Sequence, residues 1–307
     1  MASSISTLVL DIAAKESVLA ARTQLAPLGL FAHSFAEANA EVGDTVKVPV
    51  FSRGTAAEFA AGTNDYTTAT TAGVAGVSIA LDKHPWMSRR LLPDDAMETD
   101  AGRDWASQTA IASVESVAKY MAETTLVGAM KTDGIGTITF GGGDNTAIKK
   151  VARARKSALA AGVNPARATL LLPGELYTDL LTELPFNVRG ADEALINGFV
   201  DRFLGFARVA ELQDAIVYEN ESEKDVTLDM MVAANDAIGL ATRLPKVLNP
   251  DLFEVSTLSV PEVGPWSFLI RSTGTQAVDA KFLGAEVIFG SKVLQPSKVL
   301  IASTTEA

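Results

Sequence analysis

The chain has 307 residues, with 26 Lys and Arg against 37 Asp and Glu, a formal net charge of −11, 48% hydrophobic residues and no cysteine. That size and apolar content specify a folded chain of one large domain or two smaller ones. The acidic balance excludes nucleic-acid binding by the surface at large, because such binding is driven by Lys and Arg neutralising phosphates. The lack of cysteine excludes disulfides, thiolate metal sites and cysteine nucleophiles together.

Alanine dominates the apolar fraction and aromatics make up only 7%, so stability is expected from close packing and from association. Residues 1 to 10 are apolar but lack a charged leading region, and Asp11, Lys15 and Glu16 interrupt them. No targeting segment is therefore expected. No run of about 18 apolar residues occurs, so no transmembrane helix is expected either.

Residues 1 to 42 read as an N-terminal arm loosely tied to the body. Ser6 or Thr7 caps a helix running through Arg22, with Leu8, Ile12 and Leu19 on one face, and Pro27 and Gly29 end the segment. Residues 43 to 51 predict a strand in which Val46, Val48 and Val50 alternate with Thr45, Lys47 and Pro49. Pro49 favours an edge position, since it cannot donate to a ladder. A stretch rich in Ala, Thr and Gly follows to residue 73. The alternation then resumes over 74 to 82 with Val77, Ile79 and Leu81. The pair describes a long hairpin projecting from a body.

Asp94 to Lys131 contains no proline and only two glycines, Gly102 and Gly128. It predicts one helix of about 38 residues and roughly 55 Å. Asp94 and Asp95 suit its N-terminal dipole. Ala106, Ala110, Val114, Val117 and Met121 form a thin stripe of mostly small residues on one face, opposite Asp104, Glu115, Lys119 and Glu123, with Trp105 off the stripe. So long a rod implies a flattened or elongated subunit built around a spine.

Residues 132 to 143 read as a turn, a short strand and a glycine run. Asn145 or Thr146 then caps a helix through Ala161, with Gly162 at its C′ position. Ala168 to Leu172 reads as a buried strand, Pro173-Gly174-Glu175 opens a short helix to Leu184, and 191 to 204 reads as helical up to Gly205. Strands are expected at 206–210, 215–219, 228–234 and 237–242, completing an α/β unit. Beyond Pro250 the pattern is β, with strands at Glu254–Val260, Trp266–Ser272 and Lys281–Ile288. The spine helix cannot bury its face alone, so this tail is expected to fold back onto it.

Catalytic material is scarce. The only histidines, His33 and His84, stand about fifty residues apart on the arm and the hairpin, and an ordinary surface or interface role outweighs catalysis for both. No metal-ligand spacing occurs. Gly141-Gly142-Gly143 before a helix superficially resembles a phosphate loop but lacks the GK[ST] ending, and Asp144 would repel phosphate. Lys149, Lys150, Arg153 and Lys156 cluster on one helix face with Arg155 nearby. They form a solvated face that could also touch nucleic acid or an acidic partner. Asp94, Asp95, Glu98 and Asp100 read as helix-start charge rather than a cation site. Phe199, Phe203 and Phe206 of GFVDRFLGF read as core. No catalytic, cofactor-binding or metal residue is assigned, and no cofactor is expected.

The order of parts is informative as a whole. A VKVPVF strand and a small-residue loop lead to VSIALDKHPWMSRRLLPDD, which feeds into the long Ala-rich helix. TLLLPGELYTDLL and GFVDRFLGF lie in the α/β unit, and KFLGAEVIFGSKVLQPSKVLIAS closes the chain. This layout resembles the major capsid proteins of tailed bacteriophages with the Hong Kong 97-like fold. The resemblance implies an α+β fold with an N-terminal arm at 1–42, an extended E-loop at 43–93, a peripheral domain of 94–134 with 250–307, and an axial domain at 135–249.

It further implies a structural, non-enzymatic protein of the virion, assembled in the host cytoplasm. Its pentamers and hexamers would tile an icosahedral shell around double-stranded DNA, which is contacted weakly if at all. Scaffolding, portal and decoration proteins would be separate partners, and no membrane is involved. Residues 52 to 82 carry no lysine, so a shell without covalent crosslinks is expected. An encapsulin-like nanocompartment shell is the alternative, and an α/β enzyme with its site in 135–249 is a third.

Overall fold

The computed structural model describes residues 7–35, 44–51, 74–91, 99–183, 199–201, 203–212, 214–220, 222–246, 254–260, 266–275 and 280–305. Two helices form the centre. Helix α1 (Thr7–Phe31) and helix α2 (Thr99–Met130) make the most extensive pairing of any two elements. Alanine and serine at the contact let the two backbones approach closely. Ala13, Ala14, Ser17 and Ala21 of α1 are buried, as are Ala110, Ser113, Val114, Val117 and Ala118 of α2. The Ser17 hydroxyl donates to the Ala13 carbonyl at 2.7 Å, so its burial leaves no orphan oxygen.

Helix α1 departs from expectation. It passes Arg22 and runs through Pro27 to Phe31. It is also packed into the body rather than loosely tied, and Leu19, expected on the apolar face, is 68% exposed. The buried stripe is Ala13, Ala14, Ser17, Ala21, Leu25 and Leu28, whose first four members are small residues that a search for large apolar side chains passes over. An interior proline costs about 3 kcal/mol. Burying Leu25 and Leu28, each worth about 1.5–3 kcal/mol, offsets that.

Helix α2 is about 48 Å long over its 32 residues. The expected residues 94–98 at its start lie outside the described residues. Of the expected stripe, Ala110, Val114, Val117 and Met121 are buried, and Leu126 and Ala129 extend it.

The described residues form four sheets beside this pair. Strands β2 (Thr45–Phe51) and β3 (Val74–Ala80) form the antiparallel hairpin, Thr45 opposite Ala80 and Phe51 opposite Val74. A four-stranded antiparallel sheet runs β12 (Glu254–Val260), β13 (Trp266–Thr275), β14 (Ala280–Glu286) and β4 (Trp86–Leu91). Strand β4 was not foreseen, because WMSRRL carries too many polar residues for a clean alternation. A three-stranded sheet joins β1 (Ala32–Phe35), β11 (Ile238–Arg243) and β15 (Ile288–Val293). Strands β4, β14 and β15 pack on α2, as expected of a tail folding back.

The largest sheet orders β5 (Gly136–Thr137), β16 (Val299–Thr305), β10 (Asp225–Ala234), β6 (Ala168–Pro173), β8 (Arg208–Leu212) and β7 (Phe199–Asp201), with β9 (Val217–Glu219) also paired to β10. Helix α3 (Ala147–Ala160) follows its Thr146 cap, and α4 (Gly174–Glu183) lies against β6 and β8.

The helical expectation over 191–204 fails where it can be compared: Phe199–Asp201 is a strand antiparallel to β8. Aromatic and β-branched residues gained a sheet partner, and the chain then turns through Leu204 at φ 46° and Gly205 at φ 84°. The sheets also cut across the expected boundary between tail and α/β unit. Strand β11 pairs with β15 of the tail, while β16, at the chain's end, lies between β5 and β10. Val299 to Ala302 are buried there.

Candidate functional site: the hairpin foot and the Trp86 pocket

The hairpin is seated through a second, small apolar cluster. Val46 and Val48 of β2 meet Ile79 and Leu81, Ala241 of β11, Ile288 of β15 and Leu294. Two glycines permit this contact. A Cβ at Gly290 would collide with the Ala80 carbonyl oxygen and lie 2.8 Å from its carbon, and one at Gly239 would lie 2.7 Å from Ile79 Cδ1. Backbone hydrogen bonds pin the joint: Leu81 N to Asp44 O at 2.8 Å, Lys83 N to Phe289 O at 3.1 Å, and Phe289 N to Lys83 O at 2.9 Å.

From that joint the chain enters β4 at Trp86, which pairs with Glu286 of β14. The outer face of β4, β13 and β14 holds a pocket of about 440 Å³, walled by Trp86, Met87 and Phe282 over Arg271 and Glu286. Glu286 is nearly buried and uses both oxygens. Its Oε1 pairs with Arg271 Nη2, and its Oε2 lies 3.0 Å from His84 Nε2. Arginine balances the buried carboxylate, and the histidine satisfies its second oxygen. With both oxygens engaged, Glu286 is no free base. The arrangement clamps the approach to β4 onto β13 and β14. Above this polar floor Trp86 is 69% exposed. A large aromatic left in water beside a pocket makes this a candidate docking surface.

Other charged groups serve the framework. Glu183 accepts from Ala147 N at 3.0 Å and Ile148 N at 2.9 Å, while Thr146 Oγ1 accepts from Lys149 N. The start of α3 is thus filled by the chain's own carboxylate. Asp144 turns back to accept from Gly141 N at 2.7 Å. The phosphate-loop look-alike at Gly141–Gly143 therefore closes on itself. Burial pushes the Glu211 carboxyl up, and burial with Glu211 beside it pushes the Tyr177 hydroxyl to about 12. Burial is the largest influence on Asp236 and raises it, but the hydrogen bond from Lys298 Nζ at 2.8 Å, the Lys298 charge, a backbone hydrogen bond and Gln295 together outweigh burial and hold it low.

Of the sequence candidates, His84 joins the pocket, while His33 sits in β1 opposite Gly239. Asp94, Asp95 and Glu98 lie outside the described residues, and Asp100 falls in the first turn of α2. Lys149, Arg153 and Lys156 share the side of α3 away from its buried Ala147, Val151, Ala154 and Ala158, while Lys150 and Arg155 flank that line on either side. Phe206 is buried and Phe203 packs against the core. Arg271, Glu286 and Trp86 were missed. The one available signal was Glu286, a lone carboxylate within the apolar run FLGAEVIF. Among the described residues no group of three or more His, Asp or Glu could hold a metal, and no helix is long and apolar enough to cross a membrane.

No family model and no curated protein matches the chain. Solved structures do. The capsid of Ralstonia phage GP4 aligns with TM-score 0.54 at 9% identity, covering 90% of this chain and 87% of that one. The capsid of an empty GTA particle gives 0.53 at 13%, covering 91% and 90%. A virus-like particle from Pyrococcus furiosus gives 0.51 at 12%, covering 95% and 97%. This chain has the fold of phage capsid proteins.

Proposed function

We propose that this protein is the major capsid protein of a tailed phage, a structural subunit of the Hong Kong 97-like type without enzymatic activity. It self-assembles into pentamers and hexamers of an icosahedral head enclosing double-stranded DNA. The observation that carries the reading is the likeness to capsids over about nine-tenths of both chains. In this reading, 94–134 with 250–307 form the peripheral domain, 135–249 the axial domain, 43–93 the E-loop and 1–42 the arm, with the β11–β15 and β16–β10 pairings joining the peripheral and axial parts and α1 packing the arm onto α2. The shell lacks covalent crosslinks. Scaffolding, portal and decoration functions belong to separate proteins, and assembly occurs in the host cytoplasm.

The physical chemistry supports this. Among the described residues the hairpin strands bury only Val46, Val48 and Ile79 in the foot cluster, with Leu81 just beyond them, and Trp86 stands exposed beside its pocket. Both gain burial on association, and closed symmetry repeats that gain at each subunit. Sedimentation velocity of the purified protein tests the proposal: rings or larger closed species support it, and a monomer at every salt and protein concentration refutes it. The encapsulin-like alternative draws less support, since two of the three likenesses named are to capsids. Gene neighbours separate the readings, with terminase and portal genes for the phage and a cargo enzyme for the compartment.

A further inference from the structure

We infer that the solvent face of α3 is a nucleic-acid contact, a line of cations that binds the phosphate backbone of a DNA duplex without reading its sequence. Lys149, Arg153 and Lys156 recur at i, i+4 and i+7, with Lys150 beside them, opposite the buried Ala147, Val151, Ala154 and Ala158. The line is about 10 Å long. Duplex DNA carries one negative charge per about 1.7 Å of axis with both strands counted, so about six phosphate charges lie within that length.

The cations are positioned but not neutralised. Lys149 Nζ donates to Asn145 Oδ1 at 3.0 Å, Arg153 Nε donates to the Thr139 carbonyl at 3.1 Å, and Lys150 Nζ lies 5.9 Å from the Phe140 ring centre. All these partners are uncharged. Among the described residues none of the four cations makes an ion pair, in a chain where acids outnumber bases 37 to 26. The carboxylates flanking the first turn are turned away: Glu183 is spent on Ala147 N and Ile148 N, and Asp144 on Gly141 N. Arg153, engaged only through Nε, keeps the rest of its planar fork for a phosphate.

The net charge of −11 opposes DNA binding by the chain as a whole, so the face gives a weak, orientation-specific contact. This inference rests on the shell reading for its partner, which is the duplex inside the particle, but its test does not depend on assembly.

The test is fluorescence anisotropy of the unassembled full-length chain with a labelled duplex of about 20 base pairs, read across salt concentration. Four phosphate contacts give a slope of log K against log salt near −3.6, about a hundredfold loss from 50 to 200 mM. The variant carrying Lys149→Gln, Arg153→Gln and Lys156→Gln is expected to bind at least thirtyfold more weakly at 50 mM, with a slope near −0.9. Lys224→Gln, an exposed lysine elsewhere, and the charge-keeping Lys149→Arg with Lys156→Arg are expected to bind like wild type. An unchanged melting temperature of the Gln variant excludes misfolding, and the charge-keeping pair keeps the comparison meaningful if it is destabilised.

Equal binding by wild type and the Gln variant overturns the inference. So does loss of particle formation by that variant with duplex binding unchanged, which makes the face a contact between copies or to an acidic protein. Particles without a duplex contact at these residues leave the shell reading standing and remove this one. A chain that binds duplex through them yet never assembles does the reverse.

Discussion

Substituting Gly290 by alanine should unseat the hairpin while leaving the main core folded. The added Cβ would collide with the Ala80 carbonyl and lie 3.3 Å from Ile79 Cγ2. Carbon contacts ordinarily settle at about 3.5–4.0 Å, so the end of β3 must lift by about an ångström. Overpacking of this kind costs about 1–3 kcal/mol. The same lift strains the paired bonds between Lys83 and Phe289, at about 0.5–1.5 kcal/mol each. The total is about 2–6 kcal/mol, confined to the joint because the hairpin cluster is separate from the main core.

Native-state hydrogen exchange reads this directly. The amides of Leu81, Lys83 and Phe289 should exchange about 30- to 20,000-fold faster, while the amides of β10 and β16 change far less. Gly76→Ala is the control, since nothing lies within 4 Å of a Cβ there. Unchanged protection at Lys83 and Phe289 in the Gly290 variant, or equal loss in the Gly76 variant, would refute the argument from close approach.

Trp86→Ala should leave the subunit's melting temperature almost unchanged, because the ring is 69% exposed, yet lower assembly yield severalfold by light scattering. Tyr177→Phe should stabilise by up to about 1 kcal/mol in urea unfolding, because the buried hydroxyl finds no hydrogen-bond partner among the described residues. Glu211 binds its proton more tightly folded than unfolded, so it favours the folded state below its unfolded pKa and loses that contribution as pH rises through the raised folded value. Glu211→Gln should flatten that descent in a pH series of melting temperatures. Asp236 has the opposite sign. Its contribution is present above the unfolded pKa and lost as pH falls through the depressed folded value, so Asp236→Asn should remove part of the acid sensitivity.

The sequence was most legible where local chemistry decides structure. Thr146 caps α3, Gly162 follows it at φ 75°, and Val46 and Val48 alternate inward. Each is a short-range signal with one physical cause. Helix α1 was misread because the buried face of its first half is Ala and Ser, which carry little hydrophobic contrast, and because the burial of Leu25 and Leu28 that tolerates Pro27 is tertiary. Strand β4 and the place of β16 depend on partners distant in the chain, and no local pattern specifies such pairings. The pocket was illegible for the same reason: His84 and Glu286 are 202 residues apart. The family resemblance came through because it rests on the order of segments, which survives when individual residues diverge.

The central claim is that this chain builds a closed shell. Electron micrographs of the purified full-length protein, expressed alone and with a candidate scaffold, test it most directly. The account predicts uniform closed particles whose averaged images resolve five-fold and six-fold clusters of subunits. A population that stays monomeric, or that forms only irregular aggregates, under all conditions would contradict it.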